Sequence, residues 1–106
     1  MDNRKLPGRY ANLSEQYPEF AKAVEAMGST AKELGPLDEK TAQLIQLAAA
    51  ASIRSEGAVH SHTRRALATG ASHAEIHHAL LLLVSTIGFP SVMAAMSWAD
   101  DILDPA

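Results

Sequence analysis

Apolar residues recur along most of this chain at three- and four-residue spacing, and nowhere do they alternate with polar ones over a sustained run. That pattern predicts helices throughout and no sheet. Pro18 marks a helix start, since its missing N–H falls where no partner exists. This helix carries Phe20, Val24 and Met27 along one side and ends at Gly35-Pro36. Gly28 lies inside it, at a cost of about 1 kcal/mol relative to Ala, and marks a point where it can break. Residues 1–16 read as an N-terminal arm. Asp38 is a good N-cap for a second helix, "EKTAQLIQLAAAASIRS", whose Leu44, Ile45, Leu47 and Ala48 make a wide apolar stripe. A third helix holds "SEGAVHSHTRRAL" and stops at Gly70, a natural left-handed terminator. Ser72 followed by Glu75 is a capping box, so a fourth helix runs from there to about Thr86. Its middle is apolar all round, which predicts burial on every side. Gly88-Phe89-Pro90 is the last turn, and Pro90 opens a fifth helix that reaches about Leu103.

With 106 residues the chain is long enough for one domain, 1–106, with a real core. Charged residues are 20% of it and hydrophobic ones 47%. The charged share is below the usual quarter, so part of the surface is expected to be covered by copies of the chain itself. The formal charge is −3, and no Lys or Arg follows Arg65, while Glu75, Asp100, Asp101 and Asp104 remain. An acidic C-terminal half repels phosphate backbones, so nucleic acid is not an expected partner. "MDNRKLPGRY" is polar with no apolar stretch behind it, unlike a signal peptide. The apolar run from Ala79 to Val84 is far short of the roughly 20 residues a bilayer span needs. A soluble, cytoplasmic protein without a membrane partner is the expectation. Cysteine is absent, which removes disulfides, thiolate nucleophiles and zinc–thiolate sites together.

The chemistry concentrates between Ser55 and Leu67. On a helix each residue advances about 100°, so Ser55, Ala58 and His62 share one face, and Glu56, His60 and Arg64 share another. His60 and His62 point in widely different directions, and "HSH" is not a chelating pair while the helix stays regular. Acid before base at i, i+4 is an ordinary surface interaction, which accounts for the Glu56 face without any function. Its functional rival is a metal held by Glu56 and His60 with help from another helix or subunit. The neighbours of His62 are small or apolar, so it is either a core histidine bonded to a backbone carbonyl or a group placed for proton transfer. His73 and His77, also at i, i+4, are a lesser candidate metal pair. No cofactor is expected beyond such a metal.

"HTRRALATGASHAEIHHALLLLVSTIGFPSVMAAM" resembles the alkyl hydroperoxidase D / carboxymuconolactone decarboxylase family: a histidine heading an Ala-rich helix, a Gly turn, a Ser/Thr-x-x-Glu cap, and an apolar helix ending in Gly-x-Pro. "LDEKTAQLIQLAAAASIR" is similar to the family's preceding helix, so the likeness covers about Pro18 to Leu103. The resemblance implies an all-α bundle of five or six helices, assembled as a homotrimer or homohexamer with sites near subunit contacts. In the peroxidase branch, Cys-x-x-Cys-x-x-x-His works with a glutamate one helix earlier. Here the histidine position falls on His62, the cysteine positions on Ser55 and Ala58, and the glutamate position on Gln43. A serine cannot form the mixed disulfide that thiol exchange passes through, so thiol peroxidase chemistry is not expected. The decarboxylase branch needs no cysteine pair and keeps a histidine where His62 stands. The resemblance therefore implies a small organic acid as ligand and lyase-like chemistry at a His62-centred pocket. His62 is the first catalytic candidate, His60 and Glu56 follow, and Gln43, Ser55 and Arg64 are the candidate substrate-binding groups. A non-catalytic assembly that kept the fold is the remaining alternative.

Overall fold

The computed structural model describes residues 8–105. Among them every regular element is helical: α1 (Gly8–Gln16), α2 (Pro18–Glu33), α3 (Glu39–Ser52), α4 (Glu56–Ala68), α5 (His73–Leu81), α6 (Val84–Ile87) and α7 (Phe89–Leu103). The expected all-α class holds, with more helical segments than the five or six foreseen. One of the additions is α1, which makes residues 8–16 of the N-terminal arm helical; residues 1–7 lie outside the described residues. The other comes from a turn at Leu82-Leu83 that separates the single-turn α6 from α5. No helix among the described residues is long and apolar enough to cross a membrane.

The chain divides into two compact units, Met1–Leu37 and Asp38–Ala106. In the first, α1 and α2 pack on each other. Pro18 stands in the first turn of α2, as its lack of an N–H favours. The helix runs through Gly28 without a break and leaves Phe20, Val24 and Met27 exposed.

The second unit holds the main core. Leu47, Ala50 and Ala51 of α3, Val59 and Ala66 of α4, Ile76 and Leu80 of α5, and Val92, Ala95, Ala99 and Leu103 of α7 are all buried. The α7 positions are spaced three, four and four, one stripe of a helix. Alanine at so many of them lets helix axes approach closely, and α4 packs against both α3 and α7. Burying each large side chain such as Leu47 or Ile76 contributes roughly 1.5–3 kcal/mol.

Backbone chemistry fixes the ends. Ser72 Oγ accepts from the Glu75 N–H at 3.0 Å and Glu75 Oε1 accepts from the Ser72 N–H at 2.9 Å, the capping box the sequence predicts. α4 ends in a Schellman motif: the Gly70 N–H reaches the Leu67 carbonyl and the Ala71 N–H the Ala66 carbonyl, with Gly70 at φ +97°. α3 ends the same way, through Arg54 N–H to Ala51 and Ser55 N–H to Ala50, but the left-handed residue is Arg54 at φ +57°. A non-glycine residue there is strained. The Arg54 guanidinium offsets part of that by donating to Ser91 Oγ at 2.8 Å, tying the turn to the start of α7.

The all-round burial expected of the fourth helix is not what a single chain provides. Ile76 and Leu80 are buried, but Leu81, Leu82 and Val84 are exposed. One face of this apolar segment meets the core and the rest faces outward.

Candidate functional site

The α3–α4 corner places the residues of interest. Asp38 caps α3 by accepting from the Thr41 N–H at 2.7 Å, and that cap holds the Asp38 carboxyl below its usual range. From this fixed start, Gln43 falls on the buried face of α3, only 2% exposed. A buried amide needs a partner. Gln43 finds it in His62 of α4, whose Nδ1 lies 2.9 Å from Gln43 Oε1. An amide oxygen can only accept, so Nδ1 carries the proton and donates it, and the lone pair of the neutral ring resides on Nε2. The sequence alternatives for His62 were a backbone carbonyl partner or a group placed for proton transfer; the Gln43 bond is to a side chain on the neighbouring helix.

Ser55 is the N-cap of α4. Its Oγ accepts from the Ala58 N–H at 3.4 Å, a long bond for a cap. Thus the two positions where the resemblance puts cysteines are a helix cap and the backbone group it caps. Next to His62 along α4, Thr63 is fully buried, and its Oγ1 has no hydrogen-bond partner among the described residues; the buried Oε1 atom of Gln46 on α3 likewise has none. Such groups are uncommon in folded proteins, because each forfeits its hydration without replacement. Nothing in the residue type of Thr63 marks it out; its place next to His62, on a helix that packs against α3, is the only local signal.

The other face of α4 points elsewhere. His60 Nε2 lies 2.9 Å from Asp101 Oδ2 of α7, and His60 and His62 diverge as the helical period requires. Single ligand atoms of Glu56, His60 and Asp101 all lie within 4.8 Å of one another. Asp101 was not a sequence candidate for this cluster; it is 41 positions from His60 and nothing local ties the two. A parallel pair joins His77 Nε2 to Asp100 Oδ1 at 2.8 Å. His77, which the sequence paired with His73 as a lesser metal candidate, thus turns to α7. Arg64 is half-buried, and burial first, then the charge of Arg65, pull its guanidinium below the usual value. It lies along α4 from His60, on a different side of the helix from His62.

Helix α5 is secured to α3 by Lys40 Nζ and Glu75 Oε2 at 3.0 Å. The backbone N–H of Ser72, and then Lys40, hold the Glu75 carboxyl below its usual range.

An all-helical chain whose α3–α4 corner sets a histidine against the preceding helix is a carboxymuconolactone decarboxylase-like architecture. Residues 18–101 match the model of the carboxymuconolactone decarboxylase family, and the chain belongs to that family. It is similar to the crystal structure of an apo carboxymuconolactone decarboxylase family protein from Legionella pneumophila, with a TM-score of 0.78, 25% sequence identity, and coverage of 91% of this chain and 86% of that one. It is also 39% identical over 57 residues to an uncharacterized protein of Haemophilus influenzae, a match that takes in 54% of this chain. The match spans only half the length of that curated relative. As a member without any cysteine, the chain lacks the Cys-x-x-Cys motif altogether.

Proposed function

We propose that this protein is a non-thiol member of its family that binds a small organic acid at a His62-centred pocket and moves a proton there. The observation that carries the reading is the Gln43–His62 hydrogen bond, which fixes one tautomer of the neutral ring, with Nε2 as its basic nitrogen. A histidine oriented by a buried partner is the usual form of a general acid or base. The substrate class follows from the family: a lactone acid that loses carbon dioxide. As the C–C bond to the carboxylate breaks and carbon dioxide leaves, the electron pair passes into the conjugated lactone; Nε2, having taken a proton from water, gives it to the resulting carbanion, and the neutral ring is restored. Ser55 adds a hydroxyl at the α4 start.

The substrate's carboxylate needs a cation. Arg64 fills that role from a neighbouring copy, since within one chain it lies on a different side of α4 from His62. The reading therefore includes a homo-oligomer, a trimer or hexamer in the cytoplasm. Exposed Leu81 and Leu82 on the apolar α5 segment, and Phe20 and Met27 on α2, support it.

The test is carbon dioxide release from carboxymuconolactone by untagged protein, with native mass spectrometry of the same sample. Expected are turnover by a trimer or hexamer, abolition in His62→Gln with the fold retained, and a severe loss in Arg64→Ala. Equal release by wild type and His62→Gln would remove the reading.

A further inference from the structure

On the face of α4 away from His62, Glu56, His60 and Asp101 bring one imidazole nitrogen and two carboxylates together. We propose that these three residues form a site for a borderline divalent transition cation of the Zn2+ class. The site is separate from the Gln43–His62 pair and does not depend on the function proposed for it.

Three features support the assignment. The first is the donor set. A single imidazole with two carboxylates suits Zn2+ and its first-row neighbours, whereas Mg2+ and Ca2+ prefer all-oxygen surroundings. The second is geometry. A Zn2+ ion holds N and O ligands at about 2.0–2.2 Å, which sets donor atoms about 3–3.5 Å apart. His60 Nε2 and Asp101 Oδ2, at 2.9 Å, are already near that separation. The Glu56 carboxylate has only a short rotation to make from within 4.8 Å, and it makes no hydrogen bond among the described residues. The third is support. Glu56 and His60 sit one turn apart on α4, and Asp101 lies on α7, which packs against α4. The backbone that carries the donors is part of the core rather than a loop. Glu56 and Asp101 are exposed and His60 is half-buried, so an ion can enter from solvent and keep water in its remaining positions.

The bland explanation treats Glu56 as a first-turn acid that complements the helix dipole, and His60–Asp101 as an exposed ion pair of little worth. It leaves the convergence of the two features unexplained. The molecule contains its own control. His77–Asp100 is a histidine–aspartate pair of similar length, 2.8 Å against 2.9 Å, also ending on α7, and no third donor joins it among the described residues.

Zn2+ titration into untagged, chelator-treated full chain, followed by calorimetry and by thermal unfolding, tests the proposal. Expected are one Zn2+ per chain, a rise in unfolding temperature, and at least 10-fold weaker binding in each of His60→Gln, Asp101→Asn and Glu56→Gln. His77→Gln should bind as wild type does, and Mg2+ should bind at least 10-fold more weakly than Zn2+. Circular dichroism of each variant establishes that it folds, and Glu56→Gln, at an exposed position, keeps the test open should the His60 variant not fold. Absence of saturable Zn2+ binding would overturn the proposal. So would binding that survives the Glu56 and Asp101 substitutions, or that falls equally with His77→Gln.

Discussion

Replacing Gln43 and His62 singly and together measures the contact on which the site reading rests. His62→Leu strands the Gln43 carbonyl oxygen in a residue only 2% exposed, so nearly the full desolvation cost returns, about 1–3 kcal/mol. Gln43→Leu strands an imidazole N–H on a half-buried ring, which water reaches more easily, so the cost is nearer 1 kcal/mol. The double variant leaves neither group stranded and should lose less than the sum, giving a coupling of about 1–2 kcal/mol. His62 makes a further interaction, and the cycle subtracts it because it is lost in both variants that lack the histidine. Urea unfolding at fixed protein concentration gives the four free energies, and each kcal/mol moves the melting temperature of a domain near this size by about 4–8 °C. Coupling no larger than the about 0.3–0.5 kcal/mol typical of independent sites would refute the argument that this bond orients His62.

Thr63→Val removes a buried hydroxyl that has no partner among the described residues and keeps the shape, so unfolding by urea should show stability unchanged or raised by about 1 kcal/mol. A loss above that would mean the hydroxyl serves the fold. Arg54→Val puts a β-branched residue at φ +57° and should lower stability by about 1–2 kcal/mol, whereas Arg54→Gly relieves the strain and should not. Equal losses in both would place the role of Arg54 in its bond to Ser91 rather than in the backbone. The Asp38 and Glu75 carboxyls are both held below their usual values of 3.8 and 4.5. Their stabilisation is therefore complete above those values and fades as pH falls through the lower folded-state values. Glu75→Gln keeps a capping-box side chain, so acid unfolding curves should show a shallower decline below pH 4.5 with a modest change at pH 7.

Local chemistry was readable in this chain and long-range pairing was not. Gly70, the Ser72–Glu75 box, Pro18 and the divergence of His60 and His62 each follow from rules that act within a turn or two. The turn at Leu82-Leu83 did not show, because Leu80 to Leu83 are all good helix formers and no Gly or Pro marks the break. The Schellman end at Arg54 was hidden by the absence of the glycine that usually marks it. Gln43 and His62 were aligned through the family likeness, but only the structure gives their direct bond. Asp101 looked like one member of an acidic tail; its meeting with His60 depends on α4 lying against α7, which no spacing in the sequence encodes.

Gln43 holds His62 with the proton on Nδ1, which leaves the basic lone pair of the neutral ring on Nε2. Long-range 15N–1H correlation of protein labelled at its histidine rings reads that tautomer directly. His62 should be found in the Nδ1–H form, with an Nε2 resonance that shifts when carboxymuconolactone is added. An Nε2–H tautomer, or a His62 ring indifferent to saturating lactone acid, would contradict it.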